Sequence, residues 1–570
     1  MAKAEASVEE LVAMIERGEL RLPEMQRQYV WRSTRVRDLL DSLSRGYPSG
    51  AILLWDTDEI VALREFAVRQ TANPYQSTRL LLDGQQRLTS LSAVIRGEPI
   101  RVAGRVRPIE ILFNLDHPDE LTITTEVNEN ETGDDYIGPD ETDSTEDDLQ
   151  NRLNQMAFVV ATRKLQQLPQ WVSVSEVFRN DQDAPFLARA GVDRITDPKY
   201  TKYSQRLAKL RGIRRYMYRM DILERSLSYR EVTEIFVRVN SLGAKLRSSD
   251  LALAQITAKW SDCLRIFTEF QSECRDVGFE FDLGIFLKNL VAFATGQSRF
   301  HTVNSIKLEA LKSAWEESKR GMEFALNFMR NNVGIENPTL LSSAFILITI
   351  ALFGHKRGYS IPPGEEQALK RWTRLANAKG RYSRGSSETL LDQDLSAILR
   401  GDGVSGLMDR LRLQVGRLDV VPEELEGRNQ RSALFKTMFL AFRQAGARDW
   451  RSNLSIALDH SGRQHRLQFH HIFPKAVLKP HFSDREADDI ANLAFIGGGT
   501  NRSISDTPPA TYMPGLIERN GQEFLSAQAI PTQSSLYEIP AYKGFIAERR
   551  RIVAAMLNSY LDQPPTPSQV

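Results

Sequence analysis

Two adjacent histidines, His470 and His471, stand where a short strand-like run ends. A second apolar run follows at Asn492 and leads through three glycines to Asn501. Because side chains alternate along a strand, the two imidazoles point to opposite faces. One can hold a divalent cation while the other removes a proton from water, and the asparagines can orient the base and complete the metal shell. The pattern predicts a single-metal phosphodiesterase centre on a strand, a loop, a second strand and a helix capped by Thr500.

An adjacent histidine pair can also be the packed end of a strand without a catalytic role. The chain has eight histidines, and five of them lie within 22 residues, at positions 460, 465, 470, 471 and 481, which favours a site. Such a cluster could also bind zinc. The two cysteines, Cys263 and Cys274, form no CxxC pair, so a cysteine-based structural zinc site is not expected.

A second segment whose residues could bind a ligand lies in the N-terminal part of the chain. The run from Arg79 to Leu82 predicts a strand, Asp83-Gly84 ends it, and a helix begins at once. Backbone N–H groups at such a helix start, together with Arg87, favour a phosphate, and Asp83 could hold a metal or a ribose hydroxyl. The same residues can equally be a turn and a solvated first helical turn. No GxxxxGK[ST] sequence occurs, which excludes a P-loop.

Four separated blocks resemble one known family. They are Pro23…Gln26-Arg27…Tyr29-Val30-Trp31, the run DGQQRLT at 83–89, the run IFVRVNSLGAKL at 235–246, and the His470-His471 motif with its two asparagines. Together they are similar to GmrSD-type modification-dependent restriction proteins, a family related to the Ssp phosphorothioate-sensing nicking nuclease. The resemblance implies a ParB/sulfiredoxin-like N-terminal domain and a C-terminal ββα-metal (HNH) nuclease in its His-Asn-Asn form.

The resemblance gives each residue of the C-terminal motif a role. His471 would be the general base, His470 and Asn501 the metal ligands, and Asn492 the group that orients the base. Mg²⁺ or Mn²⁺ would be the cation. The usual form of the motif begins with Asp-His or Glu-His, whereas this chain has His-His. An imidazole still ligates a divalent metal, although the metal preference can differ.

The resemblance also implies a nucleotide site in the N-terminal domain. GTP, ATP or CTP would be bound and hydrolysed there by Gln26, Arg27, Asp83, Gly84, Gln85, Gln86, Arg87, Thr89 and Asn240. In this prediction the N-terminal domain senses the nucleotide and a DNA modification, such as glucosylated cytosine or a phosphorothioate linkage. The HNH domain then nicks or cuts phage or other foreign DNA. Two alternatives stay open: a nucleotide-dependent DNA-binding switch with a degenerate nuclease, and an RNA-cutting toxin.

The length of 570 residues predicts several domains. We expect an α+β, helix-rich, multidomain protein with a sensing domain at 1–260, a helical middle at 261–428, the nuclease domain at 429–563 and a disordered tail at 564–570. The net charge of +1 identifies no partner. The basic, tyrosine-containing stretch 202–230 could contact DNA or belong to the core.

The expected partners are DNA and, further, a second copy of the chain or companion proteins of a modification system. The N-terminus lacks a signal pattern, and the apolar run 340–353 is shorter than the roughly 20 residues that span a bilayer. We therefore expect a cytoplasmic protein without membrane contact.

Overall fold

A computed structural model describes residues 1–26, 28–59, 61–71, 78–102, 105–119, 153–192, 194–242, 248–383, 385–460 and 464–562. The chain divides into two compact units, Met1–Leu264 and Arg265–Val570. This boundary lies close to the predicted end of the N-terminal domain at residue 260. The further division predicted after residue 428 stays a prediction, and the predicted tail at 564–570 lies outside the described residues.

The first unit contains a six-stranded mixed sheet. Its strands lie in the order β1 (Ala2–Ser7), β11 (Met217–Leu223), β3 (Ile52–Thr57), β5 (Thr78–Asp83), β2 (Leu20–Pro23) and β4 (Leu63–Arg64). The pairs β11–β3 and β5–β2 are parallel, and the other pairs are antiparallel. Smaller antiparallel sheets contain β6 (Ile100–Val102), β7 (Arg105–Arg107), β8 (Ile111–Asn114), β9 (Phe158–Val160) and β10 (Trp171–Ser173).

Helices cover both faces of the large sheet. Ile52 and Leu54 pack into one core, which includes the helices Val8–Glu16, Ser33–Ser44 and Gln85–Arg96. Leu53 and Trp55 pack into a second core with the helix Tyr229–Leu242. A strand that is buried on both faces needs apolar side chains at successive positions, and β3 has them from Ile52 to Trp55. Further α-helices among the described residues of this unit are Arg163–Gln166, Val174–Arg179, Ala184–Arg189, Tyr200–Arg211 and Ser248–Thr257.

The basic stretch 202–230 contributes to this packing. Tyr203 and Tyr218 are buried. Arg206 donates a hydrogen bond to the carbonyl oxygen of Leu115 at 2.7 Å, and Arg211 donates one to that of Asn180 at 2.9 Å. The prediction that part of this stretch belongs to the core is confirmed, and its contact with DNA stays a prediction.

The second unit is mainly helical. Most of the apolar run 340–353 lies in the helix Phe345–Lys356, which is buried from Ile346 to Gly354. Among the described residues, no helix combines the length and apolarity that crossing a membrane requires. From Cys263 onward the described residues form further α-helices at Cys263–Asp276, Leu283–Thr295, Leu308–Asn327, Pro363–Ala378, Ser387–Arg400, Gly403–Val415, Ala433–Gln444, Lys475–Leu478, Asp484–Ala487, Gly498–Ile504, Pro509–Asn520, Glu523–Ala527 and Tyr542–Asp562.

The histidine motif lies on a two-stranded antiparallel sheet. β12 (Leu467–His471) pairs with β13 (Leu493–Gly497), so that His470 lies opposite Ala494. The helix Gly498–Ile504 follows β13 directly and has Gly497 as its N-cap. The prediction of Thr500 as the cap is therefore wrong. The Thr500 hydroxyl donates to the Asp449 carboxylate at 2.8 Å instead, because that buried acceptor lies beside the first helical turn.

Candidate nuclease site

His470 is buried beside Asn501. Its Nδ1 is 2.8 Å from Asn501 Oδ1, and the ring packs edge-to-face on Trp450 with 5.5 Å between centroids. Only 3% of His470 is exposed. Burial lowers its pKa to about 4, so the imidazole is neutral at pH 7. A neutral imidazole is the form that ligates a metal.

His471 faces a different neighbour. Its Nε2 lies 3.0 Å from Asp488 Oδ1, and Lys475 Nζ lies 2.9 Å from Asp488 Oδ2. The hydrogen bond from His471 holds the Asp488 pKa below its usual range, and Lys475 adds to this against the effect of burial. Sequence reasoning did not single out Asp488. It belongs to the acidic segment 484–489, in which nothing marks the carboxylate that turns toward the histidine.

Asn492 is fully buried and contacts backbone on two sides. Its Oδ1 accepts the N–H of Phe473 at 2.9 Å, and its Nδ2 donates to the carbonyl oxygens of Phe473 at 3.0 Å and Ala487 at 2.9 Å. Phe473 follows His471 closely, and Ala487 directly precedes Asp488. These bonds of Asn492 hold the end of the histidine strand next to the Asp488 segment, while the side chain that contacts the His471 imidazole is Asp488.

Asn501 is oriented by a second hydrogen bond. Its Nδ2 donates to Gln468 Oε1 at 2.7 Å, which leaves the amide oxygen turned toward His470. The helix that carries Asn501 is anchored by Asp449, whose carboxylate accepts the N–H of Gly497 at 2.6 Å and the hydroxyl of Thr500. Burial alone would raise the pKa of Asp449, but hydrogen bonds from Ser452 and Gly497 bring it below its usual value. The carboxylate is therefore a permanent acceptor at neutral pH.

An imidazole nitrogen of His470 and the amide oxygen of Asn501 are atom types that can ligate a divalent cation. His470 Nδ1 and Asn501 Oδ1 are hydrogen-bonded to each other across 2.8 Å, and because an amide oxygen only accepts, Nδ1 carries the proton. A cation held by both atoms would require the other tautomer of the neutral ring, with the proton on Nε2. Within the part of the chain that the structure describes, no group of three or more His, Cys, Asp or Glu side chains could hold a metal. The remaining ligands would then be water and phosphate oxygens. A mixed nitrogen and oxygen set suits Mn²⁺ better than Mg²⁺, which prefers oxygen alone.

The N-terminal segment predicted to bind a nucleotide forms a strand, a glycine and a helix. β5 ends at Asp83, Gly84 adopts a φ of 101°, and the helix Gln85–Arg96 begins. A Cβ atom on Gly84 would lie 2.4 Å from Ile52 Cδ1, and the positive φ is itself strained for other residues, so this position favours glycine. Arg87 donates to the carbonyl oxygens of Ser49 and Ala51 and, at 3.0 Å, to Asp83. The guanidinium thus already binds protein oxygens.

The two glutamine side chains fasten the preceding loop to this element. Gln86 Oε1 accepts the N–H of Val30 at 2.9 Å, and Gln26 Nε2 donates to the carbonyl oxygen of Leu82 at 2.5 Å. Gln85 and Thr89 are buried as well. The structure therefore brings Gln26 together with the 83–89 run. Arg27 and the side chain of Asn240 lie outside the described residues, and nucleotide binding by this set stays a prediction.

Residues 8–257 match the family described as the N-terminal domain of the GmrSD restriction endonuclease. Over 552 residues the chain is also 22% identical to an uncharacterized protein of Methanocaldococcus jannaschii, with 91% of this chain and 88% of that protein covered. The family match supports the resemblance to GmrSD-type restriction proteins. It indicates a restriction endonuclease-type function in a defence system, with DNA as the substrate. The match ends before the histidine motif, so the HNH assignment stays a prediction.

Proposed function

We propose that this protein is a metal-dependent DNA endonuclease of an antiphage restriction system and that its catalytic centre is the site around His470, His471 and Asn501. The observation that carries the proposal is that the two histidines have different surroundings. The buried, neutral His470 is hydrogen-bonded to Asn501, and the less buried His471 is hydrogen-bonded to the carboxylate of Asp488. A phosphodiesterase needs both a cation site and a separate base.

In the proposed reaction His471 accepts a proton from a water molecule. The oxygen of that water attacks the phosphorus, a P–O bond of the DNA backbone breaks, and the leaving oxygen takes a proton from solvent. A divalent cation held by His470 and Asn501 would supply the positive charge that stabilises the negative charge on the phosphate. Asn492 keeps the His471 strand end and the Asp488 segment in register through its backbone hydrogen bonds.

The proposal includes control by the N-terminal unit, which would sense a DNA modification and bind GTP, ATP or CTP. Support comes from the family match over residues 8–257, which contains the DGQQR run. The helix Gln85–Arg96 begins directly after Gly84, and the positive end of a helix dipole favours a phosphate.

Nicking of supercoiled plasmid by the purified full chain tests the proposal. The substrates are unmodified, glucosylated hydroxymethylcytosine-containing and phosphorothioated DNA, each with Mn²⁺ or Mg²⁺ and with or without GTP, ATP or CTP. We expect cation-dependent cutting that falls by at least about 100-fold in His471→Ala, because general base catalysis contributes that much or more. His481→Ala removes an exposed histidine of the same domain and should cut as the wild type does.

The other outcomes separate the alternatives. Equal cutting by His471→Ala and wild type would refute the proposed base. DNA binding that responds to nucleotide, with no cutting of any substrate, would point to a binding switch. Cation-dependent cleavage of RNA with intact DNA would point to an RNA-cutting toxin.

A further inference from the structure

We infer that Asp488 is the positioning residue of His471: its carboxylate accepts the Nε2–H, so that Nδ1 is the basic atom. This inference rests on the proposed function, because His471 is the base only if the site is a nuclease. It goes further by naming the nitrogen that takes the proton and the side chain that selects it.

The hydrogen-bonding chemistry fixes the tautomer. An ionised carboxylate can only accept hydrogen bonds, and Asp488 Oδ1 lies 3.0 Å from His471 Nε2. Nε2 must then carry the proton, and in a neutral imidazole the free lone pair is on Nδ1.

The backbone that carries Asp488 is held on both sides. Its own N–H donates to the carbonyl oxygen of Asp484 at 2.9 Å, and the preceding carbonyl, of Ala487, accepts from Asn492. The next residue, Asp489, accepts from Arg550 at 2.5 Å and from the N–H of Ala491 at 2.9 Å. Two consecutive carboxylates thus differ in role, since Asp489 is a buried anchor and Asp488 faces the imidazole. This rigid support preorganises the contact with His471.

Lys475 completes the arrangement. Its Nζ lies 2.8 Å from Asp488 Oδ1 and 2.9 Å from Oδ2. It therefore offsets the negative charge of Asp488 where a phosphodiester would approach. Both side chains are close to half exposed, so the lysine and the carboxylate can be reached by solvent and substrate.

The kinetic test compares Asp488→Ala and Asp488→Asn with wild type in the Mn²⁺-dependent nicking assay. We expect Asp488→Ala to lower kcat by about 10- to 100-fold, the usual effect of removing an orienting partner, with KM for DNA within about twofold of wild type. Asp488→Asn should recover part of the loss, because an amide oxygen can still accept the Nε2–H. Asp506→Ala removes an exposed carboxylate of the same domain and should leave kcat unchanged.

A spectroscopic test reports on the tautomer without catalysis. Metal-free full chain labelled with ¹⁵N-histidine is measured by NMR at a pH where the imidazole is neutral, and the His471 signal is assigned by its loss in His471→Gln. We expect the Nε2–H form in wild type and a mixture of both tautomers in Asp488→Ala. If Asp488→Ala does not fold, the ratio of tautomers in Asp488→Asn replaces it, with a shift away from wild type expected.

The outcomes distinguish this inference from the proposed function. Full activity of Asp488→Ala, or a wild-type protein with the proton on Nδ1, overturns the role of Asp488. If His471→Ala cuts normally, the proposed base is wrong, whereas the NMR result still reports whether Asp488 fixes the tautomer.

Discussion

His470 and His471 are consecutive in the chain, yet their imidazoles have different hydrogen-bond partners. One partner precedes the strand β13 in the sequence and the other follows it. His470 Nδ1 lies 2.8 Å from Asn501, on the helix after β13, and His471 Nε2 lies 3.0 Å from Asp488, in the loop before it. Strand alternation turns the two rings apart. A single dipeptide can therefore serve two chemical roles, one buried and neutral and one paired with a carboxylate.

Asn501 should matter for cation affinity. We expect Asn501→Ala to weaken Mn²⁺ binding by at least about tenfold in isothermal titration calorimetry, because one of the two proposed protein ligands is lost. Asn501→Asp should bind at least as tightly as wild type, since a carboxylate is a stronger ligand than an amide. Asn429→Ala, at an exposed position of the same unit, is the control. Equal affinity in wild type and Asn501→Ala would rule out Asn501 as a ligand.

The stability of the metal-free protein should fall in mild acid because of His470. Its pKa is about 4 in the folded chain and about 6.5 when exposed, so the unfolded state binds a proton first as the pH falls. The lost stability builds up from pH 6.5 down to pH 4. Linkage gives about 2 kcal/mol less free energy of unfolding at pH 5 than at pH 7 from this group.

Urea denaturation of the second unit in EDTA at the two pH values measures this effect. His470→Gln has no titrating ring, so the difference between pH 7 and pH 5 should shrink by about the same 2 kcal/mol. An unchanged pH dependence in the variant would show that His470 is not the responsible group.

Asn492 should be needed for folding stability. Asn492→Ala leaves the N–H and carbonyl of Phe473 and the carbonyl of Ala487 without the bonds that the amide makes. We expect a loss of about 2–4 kcal/mol in the free energy of unfolding, measured by urea denaturation, because the site is fully buried. Asn429→Ala should cause little change. A variant with wild-type stability but no cutting would instead indicate that Asn492 acts by positioning the catalytic groups.

Gly84 should be harder to replace than another glycine of the same unit. Gly84 and Gly46 both have positive φ, but a Cβ on Gly46 meets nothing within 4 Å, whereas on Gly84 it would lie 2.4 Å from Ile52 Cδ1. Gly84→Ala should therefore lower the free energy of unfolding by about 1–3 kcal/mol more than Gly46→Ala does, with a correspondingly larger fall in the melting temperature. Ile52→Val removes the clashing carbon, so the double variant should be more stable than additivity predicts.

Local signals in the sequence were sufficient for many elements. The strand that ends at Asp83 and the helix that begins directly after it were predicted from apolar periodicity and an Asp-Gly break, and both are present. The strand that carries the histidine pair was also predicted. Such signals work because they are local. The conformational freedom of glycine and the spacing of apolar residues can both be recognised from neighbouring residues in the chain.

Long-range contacts decided the rest. The sequence by itself determined that His470 and His471 end a strand and that Asn501 follows a second one. Only the tertiary structure brought Asp488 into contact with His471. It also made Thr500 a hydrogen-bond donor to Asp449 and not the helix cap. It paired the Arg87 guanidinium with the backbone oxygens of Ser49 and Ala51. Many carboxylates and carbonyls could have met these groups, and the packing of the core selects which one does, because a buried polar group requires a partner at that place.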